Sequence, residues 1–184
     1  MKTAVYCSAS NRLSEEYLRL GCAVGQWLAQ NGDTLIFGGA TGGLMSSVSE
    51  TYRKSLTKSD ENQRLIGVIP QHIALSERKS LICDDLYLVE NMSQRKQLMR
   101  TLADRFICLP GSYGTMDEMM DVIAAGTVGE HKKPLFILNH NGFYNPLIQL
   151  IQHMKDLSFI PETENYKPIF VPSVDELFAS LINS

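Results

Sequence analysis

Twice in this chain a short apolar run passes into a cluster of glycines and then into helical periodicity, an order that dictates strand, tight turn and helix. Thr34-Leu35-Ile36-Phe37 leads into Gly38-Gly39-Ala40-Thr41-Gly42-Gly43 and then a helical stretch from about Leu44 to Ser55. Asp104-Arg105-Phe106-Ile107-Cys108-Leu109 leads through Pro110-Gly111-Ser112-Tyr113-Gly114-Thr115 into Met116, Met119, Met120, Val122, Ile123 and Ala124 at helical spacing. A short strand that is apolar on successive residues is buried on both faces, the condition of a parallel sheet. Glycines at such a junction let the backbone turn sharply and come close to a ligand.

The rest of the chain repeats the alternation. Strands are expected at Thr3–Ser8, Leu65–Ile69 (ended by Pro70), Asp85–Val89, Pro134–Leu138 and Ile169–Val171, and helices at Ser14–Asn31, Met92–Ala103 and Pro146–Asp156. Gln71–Cys83 reads as a loop, and Ser173-Val174-Asp175-Glu176 as a capping box that starts a C-terminal helix. Strands alternating with helices imply an α/β fold: a doubly wound, Rossmann-like parallel sheet with helices on both faces, one nucleotide-binding domain over residues 1–184. Ligands in such sheets bind beyond the carboxyl ends of the strands, so both glycine loops are expected to face one crevice.

Composition excludes several partners. The net charge of −3 and pI near 5.8 give no electrostatic case for nucleic acid or an anionic membrane. No apolar run approaches the roughly 18–20 residues of a membrane span. Met1 to Tyr6 enters a strand directly, without the layout of a signal peptide. Cys7, Cys22, Cys83 and Cys108 share no metal-ligand spacing and read as reduced thiols of a cytoplasmic protein. His72, His131, His140 and His153 are scattered, so no metal site and no cofactor is expected.

Neither glycine loop is a standard nucleotide motif. Gly38 to Gly43 has P-loop spacing, but Leu44 and Met45 stand where Lys and Ser/Thr are needed, and no G-x-G-x-x-G occurs. A monophosphate or phosphosugar held by backbone amides at a helix N-terminus suits the second loop better. Asp117 and Glu118 bring two carboxylates into the same turn. Arg95 and Lys96 lie near the start of their helix, where the dipole disfavours cations. That placement points either to an anionic partner or to solvated surface charge.

Three segments resemble the signature blocks of the Lonely Guy (LOG) family, cytokinin riboside 5′-monophosphate phosphoribohydrolases long labelled lysine decarboxylases. They are Gly38-Gly39-Ala40-Thr41-Gly42-Gly43-Leu44-Met45, Met92-Ser93-Gln94-Arg95-Lys96 and Pro110-Gly111-Ser112-Tyr113-Gly114-Thr115-Met116-Asp117-Glu118. Cys7-Ser8-Ala9-Ser10, Ile66-Gly67-Val68-Ile69-Pro70 and Lys133-Pro134 extend the similarity along the chain. The resemblance implies hydrolysis of the N-glycosidic bond of a nucleoside 5′-monophosphate to free base and ribose 5-phosphate. It makes Arg95 and Glu118 the catalytic pair, with Lys96 beside them as a ligand-binding residue. It assigns phosphate and ribose to Gly111, Ser112, Tyr113, Gly114 and Thr115, with Asp117, Gly38 and Gly39 in the same blocks, and a substrate contact to Glu77. It also implies a homodimer built near Met92–Ala103 and Met116–Thr127. The chain departs from the family at Ser8, Ala40 and Ser112, each in place of a glycine, and at Ser93, in place of a histidine. Ala124-Ala125 stands where the family has Thr-Trp, which puts the wall of the base pocket and cytokinin specificity in question.

Cleavage of a ribosyl–base bond passes through an oxocarbenium-like state, which a carboxylate beneath the sugar stabilises while it orients the attacking water. Glu118 has the right chemistry. Thr115-Met116-Asp117-Glu118 is equally a capping box, whose glutamate would bind the N-cap amide. Two functional readings remain at this stage: the hydrolase, and a non-catalytic sensor of nucleotides or phosphoribosyl compounds on the same fold. A lysine decarboxylase would need pyridoxal phosphate held as a Schiff base, for which the chain offers little room.

Overall fold

The computed structural model describes residues 1–57, 62–75, 79–161, 163 and 165–183. One seven-stranded sheet runs through it: β1 (Lys2–Tyr6), β2 (Thr34–Phe37), β3 (Leu65–Pro70), β4 (Asp85–Val89), β5 (Arg105–Cys108), β6 (Leu135–Leu138) and β7 (Ile169–Val171). All pairings between these strands are parallel, in the order β4-β3-β2-β1-β5-β6-β7. The chain winds outward from β1 to β4, returns across the sheet, and winds the other way from β5. The order therefore reverses between β1 and β5, which opens a crevice above their carboxyl ends.

Among the described residues, six helices cover the two faces. The helices α1 (Glu15–Gln30), α2 (Gly43–Ser55) and α7 (Val174–Ile182) enclose Val5, Leu35, Phe37, Ile107 and Leu138 on one face. On the other, α4 (Met92–Leu102), α5 (Tyr113–Thr127) and α6 (Asn145–Asp156) enclose Ala4, Tyr6, Ile36, Phe106 and Ile137. Successive strand residues thus feed opposite cores, the physical reason the strands are apolar throughout. A short helix α3 (Gln71–Ile73) stands in the segment expected to be loop, and among the described residues the crossover from β3 to β4 has no long helix.

β2, β4 and β7 begin and end where the sequence places them. β1 stops at Tyr6 rather than Ser8, because Ser8 turns out of the ladder. Its Oγ accepts from Ser10 N at 3.2 Å and its carbonyl from Met45 N at 3.2 Å. Pro70 joins β3 as its last residue, opposite Val89, where a missing N–H costs the ladder little. Ser173 caps α7 as expected, its Oγ accepting from Glu176 N at 3.2 Å.

At the amino ends of the strands, opposite the crevice, lies an ion pair that apolar patterning does not reveal. Arg105 Nη2 stands 2.7 Å from Asp33 Oδ2, and both side chains are 3% exposed. Thr3 donates to the same carboxylate and accepts from Arg105 Nε, while the guanidinium lies 5.6 Å from the Trp27 ring centroid. Breaking such a pair from one side strands a buried charge. Asp33→Ala is expected to lower unfolding free energy by about 3–5 kcal/mol in chemical denaturation, with turnover per folded molecule unchanged. A loss under 1 kcal/mol would mean that solvent reaches Arg105.

Candidate active site

Arg95 owes its position to the way α4 begins. Asn91 is the N-cap: its side chain accepts from Gln94 N at 3.0 Å, while Gln94 Oε1 accepts from Glu90 N at 3.0 Å. This reciprocal capping fixes the first turn and turns Arg95 inward. There its Nε donates to Val68 O, within β3, at 3.0 Å. Its Nη2 passes beneath Gly38, where an added Cβ would stand 2.2 Å from that nitrogen. Gly38 is thus the gap through which the guanidinium reaches the sheet.

Glu118 meets Arg95 from α5. Arg95 Nη1 and Glu118 Oε1 are 2.7 Å apart, with the side chains 8% and 4% exposed. The two atoms touch without hydrogen-bond alignment, and Glu118 Oε1 is a buried acceptor with no hydrogen-bond partner among the described residues. Burial pushes the Glu118 carboxyl up from 4.5 to about 7; Arg95 opposes that rise without cancelling it. The result is a carboxyl poised near neutrality, the range that suits acid/base work.

The capping-box alternative for Glu118 fails on the position of the helix start. Ser112 is the N-cap of α5, and Met116 N donates to Ser112 O at 2.9 Å, so Thr115 already lies inside the helix. Glu118 therefore sits in the second turn and points into the protein. The early start also brings Tyr113, Gly114 and Thr115 into the first turn, whose amides have no helical acceptor and face the crevice. Ser112 adopts extended backbone (φ −102°, ψ −155°), which a serine accommodates, and its hydroxyl makes no capping bond. Gly111 allows no side chain, since a Cβ would stand 2.1 Å from Thr115 Oγ1. Neither Ser8 nor Ala40 has positive φ, so these departures from glycine carry no strain either.

The remaining site residues divide. Lys96 Nζ pairs with Asp117 Oδ1 at 2.6 Å on the outer side of the α4–α5 contact, so these two predicted ligand residues hold each other. Tyr113 is 93% exposed beside the loop. Gly39, at φ +68°, shapes the first glycine loop, and its carbonyl accepts from Ser80 N at 2.8 Å. Glu77 lies outside the described residues. A cavity of about 230 Å³ at the β1–β5 crevice is lined by Ser8, Ser10, Leu44, Gly111, Ser112 and Phe143 among others. A larger hollow of about 490 Å³, between α2 and residues 79–82, includes neither Arg95 nor Glu118. Ala124 and Ala125, where the family has Thr-Trp, lie near the end of α5, Ala124 exposed. Ala125 is buried, and Gly126 next to it packs so tightly under Tyr166 that a Cβ would stand 2.4 Å from the ring. Seven helical residues, about 10 Å of rise, separate Ala125 from Glu118. Sequence reading missed the Val68 carbonyl and the Asn91 cap; the Asn91–Gln94 spacing was the signal available for the cap.

Among the described residues no group of three or more His, Cys, Asp or Glu is arranged to hold a metal, and no helix is long and apolar enough to cross a membrane. A sequence profile of the family described as "Possible lysine decarboxylase" matches residues 50–181. The chain is 33% identical over 180 residues to the cytokinin riboside 5′-monophosphate phosphoribohydrolase LOG of Oryza sativa subsp. japonica, covering 98% of this chain and 72% of that one. The chain belongs to the LOG family. An Arabidopsis thaliana LOG phosphoribohydrolase is 31% identical over 180 residues, 98% of this chain and 80% of its own. The LOG fold recurs in a structural-genomics X-ray structure at TM-score 0.74 and 19% identity, covering 100% of this chain and 99% of that one. It recurs too in the molybdenum cofactor binding protein of Rippkaea orientalis, at TM-score 0.69 and 19% identity over 98% and 96% of the two chains. At such identities the likeness carries the fold alone.

Proposed function

We propose that this protein hydrolyses the N-glycosidic bond of a nucleoside 5′-monophosphate, releasing free base and ribose 5-phosphate. The observation that carries the reading is the buried Arg95–Glu118 pair, one helical turn below the start of α5. In this reading the phosphate docks on the first-turn amides of α5 and the Ser112 hydroxyl, and acts as a handle that positions the sugar. As the base departs with the bond's electron pair, positive charge grows on the ribose, and the Glu118 carboxylate stabilises it. Glu118 also orients the water whose oxygen bonds to the anomeric carbon and takes up a proton from it. The departing base takes up a proton from solvent and Glu118 afterwards returns its own to solvent, so atoms and charge balance. Arg95 keeps Glu118 ionised and aimed. Whole-chain similarity to LOG enzymes of rice and Arabidopsis supports this chemistry.

The test is chromatography for free base after incubation with AMP, other nucleoside monophosphates and isopentenyl-AMP. Release of base from at least one, lost in Glu118→Gln, is the expected result. Near-complete burial of the pair favours a second reading, a nucleotide-binding sensor; binding without base release would establish it in place of the hydrolase.

The same reading takes the chain as one nucleotide-binding domain working as a homodimer in the cytoplasm. A groove of about 280 Å³ between α5 and α6, lined by Met120, Ile123, Ile148 and Ile151 among others, offers apolar surface for the second copy. The four free cysteines suit a reducing compartment. Light scattering at micromolar concentration is expected to give twice the 20.6 kDa chain mass; a monomer would exclude the dimer.

A further inference from the structure

The catalytic pair is the inner half of a longer array along the α4–α5 contact. Arg95 and Lys96 are neighbours on α4, as Asp117 and Glu118 are on α5. Arg95 meets Glu118 inside at 2.7 Å, and Lys96 meets Asp117 outside at 2.6 Å. One turn further on, Arg100 pairs with Asp121 at 2.6 Å and with Glu130 at 2.9 Å, and Lys96 Nζ lies 3.9 Å from Asp121 Oδ1. Cations line one helix and anions the other, in a register that leaves Arg95 opposite Glu118. Lys96 is only 18% exposed, and its ammonium is committed to two carboxylates of α5.

Resting on the reading of Glu118 as the reacting carboxyl, we propose that Lys96 and Asp117 are positioning residues that align Arg95 with Glu118 and set the pH at which Glu118 ionises. The array gives the mechanism. Asp117 is a like charge one residue away and disfavours the Glu118 carboxylate, whereas Lys96 favours it. The other groups around Glu118 are Arg95 from α4, Tyr6 from β1, and Cys7 and Cys108, while Asp121 of the same helix acts on Tyr6. Of these, burial pushes Tyr6, Cys7 and Cys108 upward, so all three stay neutral at working pH. The two members of the outer pair thus act on Glu118 with opposite sign, and each masks the other.

The prediction is a signed pair of displacements. Asp117→Asn removes the like charge and leaves Lys96 exerting its pull, so the acid limb of kcat moves to lower pH by about half a pH unit or more. Lys96→Gln does the reverse and moves it to higher pH by a similar amount. The double variant returns towards wild type, and KM changes by less than about threefold throughout. A mere structural brace would lower thermal stability in both single variants without displacing the limb in opposite directions.

Carbon-13 carboxyl NMR of the full-length protein, with the Glu118 signal identified by its absence in Glu118→Gln, follows the same titration without turnover. Opposite displacements in both readouts support the proposal. Displacement by NMR but not in kcat keeps the tuning and removes Glu118 from the chemistry, which overturns the reading beneath it. No displacement in either, or a tenfold rise in KM for Lys96→Gln with the limb unmoved, overturns the tuning and returns Lys96 to the substrate.

Discussion

Glu118→Gln lowers kcat by a factor of about 10²–10⁴, the range of a positioned acid/base group, and leaves nucleotide affinity within a few-fold. The substitution keeps the shape of a side chain that is 4% exposed, so lost ionisation is its main effect. In the wild type, kcat is expected to rise with pH through about 7, where the buried carboxyl gives up its proton. Stability moves the other way. Unfolded, this carboxyl titrates near 4.5, and folded near 7, so between those values the folded chain holds a proton that the unfolded chain has released. The stabilising contribution is whole below about pH 4.5 and is lost as pH rises through 7. The glutamine variant has no such loss. The difference in unfolding free energy, wild type minus Glu118→Gln, should therefore fall by roughly 2–3 kcal/mol between pH 4.5 and 8. Denaturant titrations at the two pH values measure it. A pH-independent difference together with unchanged kcat would remove Glu118 from the reaction.

Arg95→Ala is expected to lower kcat/KM by a factor of about 10² or more at pH 7, and to recover part of the loss at pH 9. The recovery follows from the geometry. Arg95 opposes the upward push of burial on Glu118, so without the guanidinium the carboxyl holds its proton to higher pH, and alkali restores the carboxylate. Gly38→Ala should reproduce much of this effect without touching either charge. Its new Cβ would stand 2.2 Å from Arg95 Nη2, and the guanidinium moves aside only by giving up Val68 O or Glu118. Full activity in Gly38→Ala would show that Arg95 swings freely. A flat deficit of Arg95→Ala from pH 7 to 9 would show that its work is substrate binding rather than support of Glu118.

Much of the architecture was legible because it depends on local order. Apolar runs such as Thr34–Phe37 and Asp85–Val89, flanked by turn residues, mark strands whatever they pair with. Boundaries were less legible where a tertiary contact competes with local preference. Ser8 leaves β1 because Met45, from another element, takes its carbonyl. Likewise Thr115 and Glu118 have capping-box spacing, yet the helix begins at Tyr113, because Gly111 folds tightly over Thr115 and leaves Ser112 as N-cap.

The sequence by itself determined the alternation of strands and helices, the two glycine loops at the carboxyl ends of strands, and the residue types Arg95, Lys96, Asp117 and Glu118 that carry charge to them. These follow from spacing, propensity and side-chain chemistry, which act over a few residues. Only the tertiary structure decided which charges meet. Residues 95 and 118 are far apart along the chain, and nothing local distinguishes Arg95 from Lys96, or Asp117 from Glu118, as the inward member of its pair. Packing of α4 and α5 on one face of the sheet makes that choice. It buries one ion pair against Val68 and Gly38 and leaves the other at the surface. Burial then separates the roles, because a carboxyl removed from water holds its proton to near neutrality while its neighbour, half exposed, serves as a charge beside it.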